Sequence, residues 1–391
     1  MQGFWLALRR SRAGMLGFIG LLLYTLLITI GQALVPFDGQ AKLDQITAPP
    51  GSRMQLITRR EDVTRWRNLA DVANDPEQPV LGVVRNTAGP AMAAPYQERL
   101  ALHESRWRSG RGVVDALDAL LAGESDALLI FSTSVRRHIT ESNDAAQRER
   151  FSALAVANPA LGARLWLGGD TQGRDILSHI INGGRSLIIT ALLAGAISTL
   201  IAVLLGSIAA LAGGVVDRML SALTNFILVI PRFPLLVVLA ALIELNNIVL
   251  LAVLIGSLSW PPLMRALRSQ VLSLRERDYV EAAVALDLGR THIIFREILP
   301  NMVSFVVINL IFAVTGAMYE QVGLIFLGMA PINDYSWGVM LYFGRTRGTL
   351  FSSDSAAMVL APVFAIAFFQ VSMVLFARAM EEVFDPRLRA A

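Results

Sequence analysis

Apolar residues gather in six long, nearly uninterrupted runs, at residues 15–35, 187–212, 220–243, 248–264, 303–326 and 357–379. Each is close to the ~20 residues a helix needs to cross a hydrocarbon core of ~30 Å. Helices apolar on every face belong in lipid or deep inside a protein. The pattern therefore predicts an all-α polytopic membrane protein of six transmembrane helices. The stretch between the first two runs, 36–169, has another rhythm. Residues 54–58 and Val80–Val84 read as short strands. Val113, Val114, Leu117, Leu120 and Leu121 fall on one face of a predicted helix, Gly112–Ala122. Residues 127–135 are apolar but too short to span, and read as a buried core strand. The Pro- and Gly-rich segment 87–95 reads as a turn or inner linker. Three domains follow: 1–35 with the first span, a small α+β insertion at 36–169, and a helical core at 170–391.

Composition narrows the class. Of 391 residues, 54% are hydrophobic and 17% charged, well below the ~25% charge of a soluble domain. The mean hydropathy is +0.54. There is no cysteine, which removes disulfide scaffolds, thiolate metal sites and cysteine nucleophiles. Lys42 is the single lysine and sits in Gly39-Gln40-Ala41-Lys42-Leu43. A phosphate-cradling loop of the Gly-x-x-x-x-Gly-Lys-Ser/Thr kind is therefore excluded, and with it Walker-type ATP hydrolysis. A net charge of +3 gives no reason to expect nucleic acid.

Arginine placement sets an expected orientation. Arg9, Arg10, Arg12, Arg218, Arg265, Arg268, Arg275, Arg277, Arg290, Arg296, Arg378, Arg387 and Arg389 fall on one side of the spans, while the short segments on the other side hold only Arg174, Arg185, Arg345 and Arg347. The positive-inside rule then puts both termini in the cytoplasm of a multi-pass protein of the cell (inner) membrane, and the 36–169 domain outside. The first apolar run is longer than the 7–15 residues of a signal peptide and Gln32-Ala33-Leu34-Val35 lacks a small-x-small cleavage site, so an uncleaved anchor is expected.

Between the fourth and fifth spans lies a helical connection, 265–300. Arg277-Asp278-Tyr279-Val280-Glu281-Ala282-Ala283-Val284-Ala285-Leu286-Asp287-Leu288-Gly289 is followed by Ile293-Ile294-Phe295-Arg296-Glu297-Ile298-Leu299-Pro300-Asn301. This reads as a short helix, a glycine break, a second helix and a proline at the mouth of the next span. Ala282, Ala283 and Leu286 share a face. Small residues there suit either a partner's close approach or a helix lying on the membrane surface.

The segment resembles the EAA loop of ABC-importer permeases: Glu281-Ala282-Ala283, a helix break, then Leu299-Pro300. The family usually has glycine where this chain has Asp287, with Gly289 two residues on, so the turn is expected to shift toward Gly289. Further motifs resemble the C-type permease subunit of dipeptide/oligopeptide importers: Pro36-Phe37-Asp38, Leu167-Gly168-Gly169-Asp170-Thr171-Gln172-Gly173-Arg174-Asp175, Glu320 before Phe326-Leu327-Gly328, Ser336-Trp337-Gly338-Val339-Met340-Leu341, and Asp385-Pro386-Arg387. The resemblance covers 1–38 and 167–391 and leaves the insertion unmatched. It implies the type I importer-permease fold, with Glu281, Ala282, Ala283, Leu286, Asp287, Gly289 and Pro300 coupling to an ATPase. It implies a second homologous permease subunit, two ATPase subunits, an extracytoplasmic solute-binding protein and membrane lipid as partners. ATP and Mg are used by those ATPase subunits, and this chain holds no cofactor. Peptides are the modal cargo; oligosaccharides or nickel are the alternatives.

Other residues are weighed singly. Asp170 is expected to cap the helix entering the second span, with Gly173, Arg174 and Asp175 completing a structural signature. His103, His138, His179 and His292 show no ligand spacing. Arg232, between Pro231 and Pro234, is a pathway or gate candidate, or else a packed or interfacial ion-pair member. Glu320 is the other candidate, and with Glu244 is expected near the outer ends, within snorkelling reach. Trp260-Pro261-Pro262 predicts a kink, with Ser257 and Ser259 satisfying freed backbone groups. A sensory receptor would need an output domain, but only about a dozen residues follow Ala379. A proton-coupled carrier would need an inverted repeat and an acidic relay, and an enzyme a nucleophile–base or metal constellation; neither pattern is visible.

Overall fold

The computed structural model describes residues 11–35, 51–84, 92–96, 98–105, 112–140, 142, 144–161, 165–170, 174–243, 245, 247–289, 292–332, 336–346 and 356–384. It divides into two compact units. One comprises Met1–Leu34, Asn182–Tyr342 and Val363–Ala391, the other Val35–Ile181 and Phe343–Pro362.

Helices dominate. Among the described residues, Arg12–Leu34, Ile176–Ala212, Ile248–Arg275, Ile293–Phe326 and Ala357–Glu381 are long and apolar enough to cross a membrane. The third expected span, 220–243, is not one straight helix. It is a pair, Gly214–Val229 and Arg232–Leu242, bent by 84°. Pro231 explains the break: it lacks an N–H to continue the ladder, and it drives Ile230 out of the helical region, to ψ 127°. Pro234 falls in the first turn of the following helix, where an N–H has no intrahelical partner anyway. Counted as one span, the bent pair brings the total to six.

The helix Arg12–Leu26 starts at Ser11, whose Oγ accepts from the Gly14 N–H at 3.2 Å. Gly14, Gly17, Gly20 and Tyr24 form its buried face. A Cβ on Gly17 would stand 2.5 Å from the backbone nitrogen of Phe376, and one on Gly20 2.1 Å from Ser372 Oγ. Glycine therefore permits backbone-to-backbone contact with the helix Ala357–Phe384, the small-residue packing that membrane helices use in place of a hydrophobic drive. Tyr24 closes the seam, its ring perpendicular to Phe369 at 5.3 Å and its hydroxyl donating to the Ala365 carbonyl.

The helix Ile248–Arg275 is capped by Asn247, which accepts from the Leu250 N–H at 2.8 Å. It runs unbroken through Pro261 and Pro262. The Ser257 and Ser259 hydroxyls donate to the carbonyls of Leu254 and Ile255. They bond a turn before the carbonyls that the prolines free, and so do not play the expected role. Arg268 grips Asp217 through two bonds of 2.5 and 2.6 Å, joining this helix to Gly214–Val229.

The second unit contains a five-stranded mixed sheet built from β1 (Met54–Arg59), β2 (Val80–Val84), β3 (Ala101–Ser105), β4 (Ala127–Phe131) and β5 (Leu154–Leu161), in the order β3-β2-β4-β1-β5. β2 is parallel to β3 and β4, while β1 is antiparallel to β4 and β5. Strand alternation sorts the core. Met54, Leu56, Leu129 and Phe131 pack with Trp66, Leu69 and Val72 on one face. Ile57, Leu128 and Ile130 pack with Val113, Leu117 and Leu120 of the helix Gly112–Ala122 on the other. β4, buried on both faces, reads as an unbroken apolar run for that reason.

The expected strand 127–135 ends early. After Phe131, residues Ser132–Val135 turn into a helix. Ser132 causes the switch: its N–H donates to the Arg53 carbonyl and its Oγ accepts from the Arg53 N–H, tying off the ladder. In the expected linker 87–95, Ala94–Tyr96 form a 3-10 turn, and residues 87–91 lie outside the described ones.

Candidate coupling helix and intramembrane ion pair

The short helix Asp278–Ala285 forms around Glu281, Ala282, Ala283 and Ala285, which are strong helix formers, while Tyr279, Val280 and Val284 contribute little propensity. Asp278 and Glu281 occupy its first turn, where carboxylates suit the helix dipole. Its faces are unequal. Val280 and Ala283 are buried in one apolar cluster with Leu267, Val271, Ile293 and Ile298 of the same chain. Glu281, Ala282 and Leu286 are exposed, Leu286 by 73%. The structure thus parts residues that the sequence grouped: Ala283, 4% exposed, seats the helix on its own chain.

The helix closes in a Schellman motif. The Leu288 N–H donates to the Ala283 carbonyl at 3.1 Å and the Asp287 N–H to the Val284 carbonyl at 3.0 Å. Asp287 takes the left-handed position, φ +52°. The turn therefore has not moved to Gly289, which has no positive φ. Asp tolerates this conformation better than most side chains, and glycine best of all. Pro300 lies in a 3-10 turn, Leu299–Met302, just before the helix Val303–Phe326. There its missing N–H costs little.

Arg232 and Glu320 prove to be one feature. Arg232 opens the helix after the Pro231 bend, and its guanidinium pairs with the Glu320 carboxylate on Val303–Phe326. The Ser259 Oγ, whose one proton is shared with the nearer Ile255 carbonyl, lies 3.4 Å from the same carboxylate. The Glu320 side chain is 9% exposed and that of Arg232 41%, so the Glu320 carboxylate is buried in the pair. Gly323, one turn along, leaves room for the Phe233 ring, 2.8 Å from where a Cβ would lie. Glu244 lies outside the described residues.

In the signature before the second span, Asp175 is the helix cap: its carboxylate accepts from the N–H groups of Leu177 and Ser178. Asp170, expected in that role, instead holds Arg174, accepting from its N–H, Nε and Nη2 at 2.7–2.8 Å. Asp175 directly precedes Ile176, the first helical residue, and so it is Asp175, not Asp170, that meets the first turn. Gly173 lies outside the described residues. No group of three or more His, Asp or Glu among the described residues could hold a metal ion.

Two features escaped the sequence reading. The Asp217–Arg268 clasp joins partners 51 positions apart, on two helices that only packing brings together. The Gly14, Gly17, Gly20 spacing was visible in the first apolar run and is the signal that could have revealed its packing.

Apolar helices of spanning length, a charge pair inside their bundle and one amphipathic helix with an exposed apolar face define a multi-pass membrane protein. Residues 202–390 match the family described as the binding-protein-dependent transport system inner membrane component. A putative peptide permease protein of Brucella ovis is 34% identical over 241 residues, covering 60% of this chain and 77% of the relative. Its counterpart in Brucella suis is also 34% identical over the same length. The oligopeptide transport system permease protein OppC of Haemophilus influenzae is 30% identical over 197 residues, 50% of this chain and 62% of the relative. The chain belongs to the binding-protein-dependent transport permeases, the membrane components of ABC importers.

Proposed function

We propose that this chain is the permease subunit of an ATP-driven peptide importer, forming half of a translocation pathway. The observation that carries the reading is the helix Asp278–Ala285: anchored on its inner face by Val280 and Ala283, closed at Asp287, and open on the face of Glu281, Ala282 and Leu286. A helix so fixed can move only with the spans it is seated on, which suits a lever driven by an ATPase subunit. Peptide cargo follows from the relatives, a putative peptide permease protein and an oligopeptide transport system permease protein.

The mechanism is alternating access. ATP and Mg, bound by two partner ATPase subunits, close the ATPase dimer; the coupling helix moves as a rigid body and the spans reorient. A second permease subunit completes the pathway, and a solute-binding protein delivers cargo to the outer side. Both termini then lie in the cytoplasm and residues 36–169 outside. Arg232 and Glu320 hold the bent pair against Val303–Phe326 and act as a gate that must part or slide when the spans reorient. Reconstitution with the partner subunits in lipid vesicles tests the reading: peptide-loaded binding protein should stimulate ATP hydrolysis. Leu286→Glu should abolish that stimulation while leaving the purified chain folded. Normal stimulation in Leu286→Glu would overturn the coupling role.

A further inference from the structure

We propose that the sheet-bearing unit carries a binding site for a carboxylate with an apolar body, where the β1–β5 edge meets the turn Arg136–Thr140 and the helix Ala145–Arg150. A cavity of about 580 Å³ lies there, within the ~300–1,000 Å³ range of small-molecule sites. Val135, Phe151 and Leu154 form its floor and belong to the core beneath the sheet. Val63, Ile139 and Val156 supply apolar walls.

Two exposed arginines, Arg60 and Arg148, complete the lining. Their neighbours are committed: Arg59 to Asp62 and Asp126, Arg65 to Asp75 and Glu77, Arg150 to Asp118. Among the described residues neither Arg60 nor Arg148 has a side-chain ion pair, and no acidic side chain lines the cavity. A guanidinium left unpaired beside an apolar wall favours an anion, and carboxylates match its planar donor fork. A neutral apolar guest would leave both charges unused, and an inorganic anion would leave the walls wet. The guest that satisfies both parts has a carboxylate head and an apolar body. Such chemistry comes from the C-terminal end of an apolar peptide or from a fatty acid. The site stands apart from the transport reading: it lies outside residues 202–390, and occupancy needs no partner subunit.

The test uses the full-length chain in nanodiscs of neutral phosphatidylcholine, titrated calorimetrically against empty nanodiscs. Three probes separate the possibilities: N-acetyl-Leu-Leu, its C-terminal amide, and octanoate. At least one acid should bind saturably, and the amide at least tenfold more weakly than N-acetyl-Leu-Leu if that acid binds. Binding of the peptide acid alone assigns a peptide terminus, of octanoate alone a fatty acid, and of both the shared carboxylate. Arg60→Gln with Arg148→Gln should weaken the bound acid at least tenfold, and Arg99→Gln should leave it unchanged. Ile139→Trp, which fills the cavity without touching charge, should also weaken it and covers the case in which the double variant does not fold. Failure of both acids to bind, equal binding of acid and amide, or undiminished binding in the cavity-filled chain overturns the proposal.

Discussion

Leu288 reaches back over Asp287 to donate its backbone N–H to the carbonyl of Ala283, at 3.1 Å. That bond forces Asp287 into the left-handed region, φ +52°, at the position after a helix end where glycine is the usual occupant. The exposed helix thus ends on a mildly strained residue, and the strain has a testable size.

Asp287→Gly should be neutral or stabilising, by up to ~1 kcal/mol, because glycine adopts this φ without steric cost. Asp287→Val should destabilise by ~1–2 kcal/mol, since a β-branched side chain is penalised there. Thermal unfolding of the purified chain in nanodiscs gives the order Gly ≥ Asp > Val. Reversal of Gly and Val would mean that the turn forms elsewhere in solution.

Ala283 is buried among Val280, Leu267 and Ile298, and so its variants should report on folding before coupling. Ala283→Trp overfills the cluster of Val280, Leu267 and Ile298, at a cost of ~1–3 kcal/mol. Its melting temperature should fall, whereas Leu286→Glu, on the open face, should melt with the native chain. If Ala283→Trp melts like the native chain while coupling is lost, Ala283 faces the partner after all.

How far the sequence carried depends on which physics was local. Spanning helices were legible because lipid demands uniform apolarity over a fixed length, and the helix Gly112–Ala122 was legible through its periodicity. Both are properties of a few consecutive residues. The bend at Pro231 was half legible: the proline is plain in the sequence, but an apolar run continues across it. The Arg232–Glu320 pair was not legible, because 88 positions separate partners that only helix packing brings together. The same is true of Ala283. Its neighbours Leu267 and Ile298 lie on flanking elements, and periodicity cannot tell a face turned toward a partner from one turned toward the chain itself. The Asp170 and Asp175 exchange shows the converse limit, where composition named the right residues and loop geometry decided which one caps.

In the sheet-bearing unit, Asp75 accepts from Arg65 at 2.7 and 2.8 Å and from Trp66 Nε1 at 2.8 Å. The Arg65 bonds foremost, then those from the Glu77 N–H and Trp66, hold its carboxyl at about 2, below its ordinary 3.8. A carboxylate lowered on folding contributes stability that is fully present above the unfolded value, and that is lost as pH falls through about 4 toward 2. Asp75→Asn should therefore melt below the native chain at pH 6, and the two should converge as pH approaches 2. A gap that stays constant from pH 6 to pH 3 would assign the effect to lost packing and not to the charge.

Arg232 and Glu320 share one ion pair but not one environment, and that asymmetry predicts unequal variants. Arg232→Gln leaves a carboxylate 9% exposed without its cation, with only the Ser259 hydroxyl to compensate. Uncompensated buried charge costs up to ~3–5 kcal/mol, and the nearby Ser259 hydroxyl offsets part of it, so ~1–3 kcal/mol is expected. Glu320→Gln leaves an arginine whose side chain is 41% exposed and long enough to carry its charge to water, so less than ~1 kcal/mol is expected. Adding Glu320→Gln to Arg232→Gln should then recover part of the loss, because the stranded charge is gone. Thermal unfolding of the four chains in nanodiscs at pH 7 measures the cycle. Equal losses for the two single variants, or a double variant less stable than Arg232→Gln, would show that the pair is not the buried charge contact seen between these helices.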